Sequence, residues 1–158
     1  MPRVQPGFTL IELMVTLAIA AILLAISVPS FMDTIARQRI EGTANELVAD
    51  LGYAATESIS RNLEVRVSTP DDGSYTIATI DSGGSVVTEL KEVTLGAGLS
   101  ITSPVTVTYE PFRGSANAAT FTLSSTGTAS TLRISTNAAG RVHICAPGSA
   151  FAGYSPCS

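Results

Sequence analysis

Apolar and polar positions divide the chain into three stretches with different periods. In residues 8–32 the only charged side chain is Glu12, and the run from Leu13 to Val28 reads LMVTLAIAAILLAISV. As a helix rising about 1.5 Å per residue, this stretch is longer than the roughly 30 Å hydrocarbon core of a bilayer. We therefore expect residues 8–32 to form a transmembrane helix.

The second stretch, residues 33–62, keeps a helical period but becomes amphipathic. We predict a single helix from Phe8 to about Arg61 that stops at Asn62, with a kink or local melting near Pro29, because proline lacks a backbone donor. Only the second half of this helix needs a protein core to cover it. Its expected apolar stripe is Phe31, Ile35, Ala44, Leu47, Val48, Leu51 and Ala55.

Beyond residue 62 the period changes to alternation, which is typical of strands. Turn residues separate most of the runs. The expected fold class is therefore α+β, with the amphipathic half of the N-terminal helix packed on an antiparallel β-sheet domain over residues 63–158. The predicted strands read LEVRVS, SYTIATI, VVTEL, LSIT, VTVTYE, ATFTLS, TLRIS and RVHIC.

Composition narrows the chemistry that this fold can perform. The 158 residues include two cysteines and one histidine, too few for a four-ligand zinc site, and no phosphate-cradling glycine motif is present. We expect no metal and no cofactor. The net charge of −4 is unevenly spread: residues 33–92 hold eleven acidic and five basic residues, whereas residues 93–158 hold three arginines and one glutamate. Any basic site must therefore lie in the C-terminal third.

The N-terminal motif carries a resemblance to a known family. A short leader with Arg3 precedes the sequence GFTLIEL, which begins at Gly7 and runs into the apolar stretch. This motif resembles the prepilin sequence of type IV pilins. The resemblance implies that residues 1–7 are a leader, that prepilin peptidase cuts between Gly7 and Phe8 and methylates Phe8, and that Glu12 and Pro29 correspond to the family's assembly glutamate and helix proline.

The free-energy cost of placing a charge in a membrane predicts that Glu12 has a partner. A carboxylate within a spanning helix costs about 2.5–3.5 kcal/mol on insertion scales and needs a partner. Cleavage before Phe8 would create an α-amino cation four residues away, and Glu12 could neutralise that of a neighbouring subunit. Two alternatives are a glutamate that snorkels to the interface and a secretory signal peptide cut after Ser27.

The resemblance extends to the C-terminal part. The segments VTYEPFRGSA, ATFTLSS and TLRISTNAAGRVHIC, followed by a second cysteine, resemble the GspH/FimT branch of pseudopilins and minor pilins. The pilin fold is the fold that this resemblance implies.

The last two predicted strands form a hairpin with one apolar face. Placing both apolar faces on the core pairs Ile134 with Val142 and puts Arg133 opposite His143. Arg141 then lies diagonal to Arg133, so we expect two guanidinium groups and an imidazole to share the solvent face within reach of one phosphate backbone.

This face has a counterpart in the resembling family. FimT-type minor pilins bind DNA for uptake through a Gly-Arg-x-Arg element, which Gly140, Arg141 and His143 match in part, with Arg133 nearby. His143 replaces the second arginine and is mostly neutral at pH 7. Binding of double-stranded DNA would then be weak, independent of sequence and sensitive to salt. The alternative is that these basic groups are simply solvated.

Cys145 and Cys157 enclose an eleven-residue segment rich in glycine, proline and serine. We interpret them as a disulfide that pins the tail to the sheet in an oxidising periplasm. A Cys145–His143 nucleophile is the alternative, but no oxyanion donor or orienting acid accompanies it.

Together these observations predict a structural subunit without catalytic residues. The first hypothesis is a FimT-like minor pilin, a single-pass inner-membrane protein with its C-terminal domain in the periplasm, which assembles with other pilins and contacts DNA. The alternative is a GspH-type minor pseudopilin of a type II secretion system. A secreted hydrolase behind a signal peptide is a third possibility, and it predicts a mature protein that begins near Val28.

Overall fold

The computed structural model describes residues 8–102, 104–148 and 151–157, with the side chains of residues 26–30 excepted. The leader, with Gly7, and the side chain of Pro29 thus lie outside the described part. The chain forms two compact units, Met1–Ile35 and Ala36–Ser158. The elements in chain order are α1 (Leu10–Arg61), β1 (Glu64–Asp71), β2 (Ser74–Ile80), β3 (Val86–Thr94), β4 (Leu99–Ile101), β5 (Val105–Tyr109), β6 (Ala119–Ser125), β7 (Thr128–Thr136), β8 (Val142–Ala146) and β9 (Ser155–Pro156).

The predicted helix is confirmed, including the residue at which it ends. α1 stops at Arg61, and Asn62 adopts a positive φ of 55°. The backbone N–H of Leu63 then donates to the carbonyl oxygen of Ser58 at 3.2 Å, which closes the helix in a Schellman-type cap. The helix assignment continues through residues 26–30, so the local melting expected near Pro29 is not observed.

The length and hydropathy of the described helix bear on the predicted membrane segment. Within the part of the chain that the structure describes, no helix has the combination of length and hydropathy that a membrane span requires. The span over residues 8–32 stays a prediction.

The second unit is held together by one face of α1. Phe31 was expected on the buried stripe, but its side chain is 67% exposed, because the core begins about one turn later. The steps of three and four residues are those of a single helical face. The buried residues on this face are Ala36, Ile40, Ala44, Leu47, Asp50, Leu51, Ala54 and Ser58.

The strands form two sheets rather than the single sheet expected from the pattern. The first sheet has the strand order β3-β2-β1-β5 and the second has the order β4-β6-β7-β8-β9. All eight predicted strands are present, and only the short β9, which pairs in parallel with β8, was not predicted. Buried side chains from both sheets and from α1 share one hydrophobic core, including Leu47, Leu51, Val67, Phe121 and Ile134.

A polar cluster links α1 to the first sheet at the edge of this core. The Asp50 carboxylate, on a residue that is 8% exposed, accepts hydrogen bonds from the Tyr75 hydroxyl at 2.7 Å and from Lys91 Nζ at 2.8 and 2.7 Å. Burial and the bond to Asp50 raise the pKa of Tyr75 above its usual range. The hydrogen bond to Asp50 also raises the pKa of Lys91. The carboxylate is thus stabilised by one cation and one hydroxyl.

Removing the Tyr75 hydroxyl tests this cluster. We expect Tyr75→Phe to lower the free energy of unfolding by roughly 1.5 kcal/mol, because hydrogen bonds to a charged group contribute about that much. Chemical denaturation of the full chain in non-ionic detergent measures the loss. Tyr53→Phe is the matched control, since Tyr53, on α1, is 39% exposed. Equal losses for the two variants would contradict the prediction.

Candidate functional site

The start of α1 places Glu12 at a defined position. Thr9 precedes the helix, and its Oγ1 accepts a hydrogen bond from the backbone N–H of Glu12 at 3.3 Å. Thr9 is therefore the N-cap and Glu12 the third helical residue, the T-x-x-E spacing of a capping box. Our sequence reasoning missed Thr9, although this spacing is visible in the sequence.

The apolar side chains around Glu12 are uncovered in the isolated chain. The large apolar residues from Phe8 to Leu24 are each more than half exposed, with Phe8 at 82%. Among the described residues, none forms an ion pair with Glu12. This first unit therefore presents an apolar surface with a single carboxylate near its beginning.

The C-terminal hairpin differs from the predicted register by two positions. Arg133 pairs with Cys145 and Ser135 pairs with His143, whereas the prediction paired Arg133 with His143. The assignment of faces was right, because a shift of two residues keeps each side chain on its own side of the sheet. The reason for the shift is the turn: Asn137 lies opposite Arg141, with its N–H donating to the Arg141 carbonyl at 3.1 Å, so the turn is centred one residue later than expected.

The corrected register spreads the basic groups along the face. Arg133 and Arg141 are four register positions apart, about 13 Å along the strand. His143 lies between them, and all three side chains are exposed. They share the solvent face as expected, and the corrected register arranges them in a row that fits an extended anion.

Hydroxyl groups surround this row. Arg133 is flanked by Thr122 on β6 and Cys145 on β8, and Thr120 pairs with Ser135. The strands of the second sheet contain no aspartate or glutamate. Thr120 and Thr122 were not predicted as part of this surface, because their position beside the row follows from the pairing of β6 with β7.

Gly140 has a structural role in the turn that joins β7 to β8. Its φ is +70°, and a Cβ added there would lie 2.0 Å from the carbonyl oxygen of Gly114. Glycine is thus required at position 140 for two reasons. The backbone has a positive φ, and the close approach of the segment between β5 and β6 leaves no room for a side chain. The turn is further held by the Asn137 side chain, whose Oδ1 accepts from the N–H groups of Ala139 and Arg141 at 3.0 Å each.

Tyr109 lies beneath the junction formed by the close approach of Gly114 to Gly140. Its ring is 3.6 Å from the position of a Gly140 Cβ, and its buried hydroxyl has no hydrogen-bond partner among the described residues. Burial raises the pKa of Tyr109 to about 12. The junction therefore rests on a neutral aromatic side chain.

The predicted disulfide is confirmed. Cys145 and Cys157 are bonded, with a Cα–Cα distance of 5.0 Å. Beside this bond the tail adds β9 to the second sheet, and the Cys157 N–H donates to the Ala146 carbonyl at 3.3 Å. The sulfur of Cys145 is consumed in this bond, which removes the thiol that a Cys145–His143 nucleophile would need.

Substituting Gly140 tests the junction. We expect Gly140→Ala to lower the free energy of unfolding by roughly 3 kcal/mol, because it adds a backbone clash to the cost of a left-handed conformation. Gly153→Ala is the control: Gly153 also has a positive φ, of 94°, but nothing lies within 4 Å of its added Cβ. Its loss should stay near 1 kcal/mol. Denaturation curves measure the free energy of unfolding of both variants. Equal losses for Gly140→Ala and Gly153→Ala would refute the role of the close approach.

Comparison with known families gives two matches. Residues 43–140 match the family described as type II transport protein GspH, and residues 2–28 match the prokaryotic N-terminal methylation motif. A fimbrial protein of Pseudomonas aeruginosa is 41% identical over 81 residues, covering 51% of this chain and 52% of that protein. The type IV major fimbrial protein FimA of Dichelobacter nodosus is 34% identical over 88 residues, covering 51% and 54%. The chain thus spans about half the length of these curated relatives.

Solved structures show the same fold. The type IV minor pilin FimU of Pseudomonas aeruginosa has a TM-score of 0.59 at 22% identity, over 73% of this chain and 97% of that chain. The minor pseudopilin EpsH from the type 2 secretion system of Vibrio cholerae has a TM-score of 0.58 at 15% identity, over 70% and 99%. The two similarities are nearly equal, so the fold does not distinguish a pilus from a secretion apparatus.

Proposed function

This chain belongs to the GspH family, a family of pilin-like subunits, and on that premise we propose that it is a minor type IV pilin that enters a filament through its N-terminal helix. The observation that carries the proposal is the uncovered apolar surface of the first unit, with Glu12 near its beginning. A surface of this kind is stable only when lipid or other helices cover it.

Two environments in succession provide that cover. Before assembly, residues 8–32 anchor the chain in the inner membrane, with the second unit in the periplasm. After prepilin peptidase cuts between Gly7 and Phe8 and methylates Phe8, the helices of neighbouring subunits replace the lipid.

Glu12 sets the register of that assembly. The Thr9 cap holds Glu12 in the first turn of α1, close to the new amino terminus in its own chain and available to that of a neighbour. Inside an apolar filament core, a carboxylate opposite an α-amino cation is far more favourable than either charge alone. Pro29, on the same helix, is the second residue that we assign to assembly.

Replacing Glu12 tests this assignment. We expect Glu12→Leu to reduce incorporation into filaments by roughly tenfold or more, since the neighbour's α-amino group loses its partner in a low-dielectric core. Quantitative blotting of sheared filaments against total membrane protein measures the change. Glu12→Asp, which keeps the charge, should retain most incorporation.

Processing is the internal control for that experiment. Mass spectrometry of wild type and variant should give a mature chain that starts at methylated Phe8 in both, so that a loss of filaments is not a failure of cleavage. Wild-type incorporation of Glu12→Leu would overturn the assembly role, and a mature terminus near Val28 would remove the pilin proposal altogether.

A second activity is favoured by the acid-free face of the second sheet. We propose that Arg133, Arg141 and His143 contact the backbone of double-stranded DNA weakly and without sequence preference. Their row along the strand, flanked by hydroxyl groups, supports an extended anion as the ligand. Gly140 contributes by shaping the turn, not by touching the ligand.

Salt titration tests this activity. Filter binding of a labelled duplex to the full chain in detergent should weaken steeply with salt, and Arg133→Ala or Arg141→Ala should each reduce the salt slope by about one, because each removes one phosphate contact. Arg61→Ala, at the end of α1, is the matched control for loss of one positive charge.

Failure to retain duplex even at low salt and pH 6 would favour the GspH-type pseudopilin as the alternative. That protein would have the same fold and the same N-terminal assembly, but its second unit would contact other pseudopilins for protein export. The Glu12 experiment gives the same result under either function, so it isolates assembly from DNA binding.

A further inference from the structure

Phe112 is an aromatic side chain in an unusual position. It lies in the segment between β5 and β6 and is 87% exposed, more than any other large apolar residue of the second unit. Both faces of a ring this exposed are accessible to a ligand. The ring therefore contributes little buried apolar surface to the stability of the fold. Exposed aromatic rings of this kind are typical of binding surfaces.

The backbone around Phe112 is fixed. The N–H of Gly114 donates to the Glu110 carbonyl at 3.1 Å, and the N–H of Glu110 donates to the Ser115 carbonyl at 2.8 Å. Phe112 is therefore at the tip of a closed turn, so a ligand that stacks on the ring does not have to order the loop. The Glu110 carboxylate accepts a hydrogen bond from the Ser115 hydroxyl at 2.7 Å.

The same turn brings another arginine close to the loop that holds Arg141. Arg113 precedes Gly114 and Arg141 follows Gly140, and these two glycines meet at the close approach described above. Both arginines are exposed, and among the described residues neither forms an ion pair. Arg113 and Arg141 are thus each one residue from this backbone contact, and Phe112 is two residues from it.

We propose that Phe112, Arg113 and Arg141 form a binding site for an unpaired nucleotide of single-stranded nucleic acid. The guanidinium groups bind the phosphates on either side of the nucleotide, and its base stacks on the Phe112 ring. The site rests on the proposed contact between the basic row and DNA, and it adds a preference for single strands or frayed ends over intact duplex.

The combination of charge and ring favours this ligand. Exposed arginines without an ion-pair partner among the described residues favour a polyanion, and a nucleic acid is a polyanion that carries a flat π-face at every repeat. In a duplex these faces are stacked on one another inside the helix, out of reach of Phe112. An anionic polysaccharide supplies the charge without the π-face, and it serves as the contrasting ligand in the test.

The test compares three labelled or competing polyanions on the full chain in non-ionic detergent: a thymidine oligonucleotide, a duplex of equal charge and dextran sulfate. Fluorescence anisotropy gives the affinities. We expect Phe112→Ala to weaken single-strand binding roughly tenfold, as loss of one stacked base does, and to leave the other two affinities unchanged. Arg113→Ala should weaken all three and lower their salt dependence.

Two further variants act as controls. Phe112→Tyr keeps an aromatic face and should retain single-strand binding, whereas Val86→Ala truncates another exposed apolar residue, on the first sheet, and should change nothing. The proposal is overturned if Phe112→Ala leaves the oligonucleotide affinity unchanged, if it weakens dextran sulfate equally, or if wild type binds no single strand. Duplex binding that depends on Arg133 would persist in the first case, so the loss of this site is distinguishable from the loss of DNA contact.

Discussion

The second unit depends on the burial of one face of α1 from Ala36 to Ser58. Eight residues on this face are covered, and the core that they join includes side chains from both sheets. The first sheet is also tied to the helix by a cation and a hydroxyl on Asp50. A helix of this composition keeps its position because moving it would expose apolar area from both sheets and leave the Asp50 carboxylate without its partners.

That constraint decides which side chains are available for function. In the second sheet, alternation sends Leu132 and Ile134 to the core, and Arg133 is thereby directed to solvent. The absence of acidic residues from these strands keeps the outer face positive. The proposed DNA contact therefore follows from the same alternation that builds the core, and the disulfide-linked tail borders this face at Cys145.

The first unit has the opposite character, since its apolar residues have no core of their own. Their exposure is stable only in lipid or against other helices, and Glu12 is the one charged residue between Phe8 and Met32. The Thr9 cap fixes this carboxylate at the start of the helix. In our proposal, lipid covers this apolar surface before assembly, and the helices of neighbouring subunits cover it afterwards. The peptidase cut at Phe8 separates the two states in time.

The secondary structure, the family and the disulfide could be predicted from the sequence alone. Local period identified the helix, its end at Asn62 and eight strands, because these features depend on the spacing of apolar residues and on turn chemistry. The motif around Glu12 identified the family for the same reason, since it is a short contiguous string. The pairing of Cys145 with Cys157 required only that two cysteines be present.

Tertiary structure alone decided the features that join distant parts of the chain. Alternation assigns a residue to a face but leaves its partner strand and register open, so the division into two sheets, the position of Arg133 beside Thr122 and the shift of His143 could not be predicted. Likewise, the approach of Gly114 to Gly140, which brings Arg113 near the loop that holds Arg141, joins positions 26 residues apart. Such contacts depend on how layers pack around a shared core, and no local pattern encodes that packing.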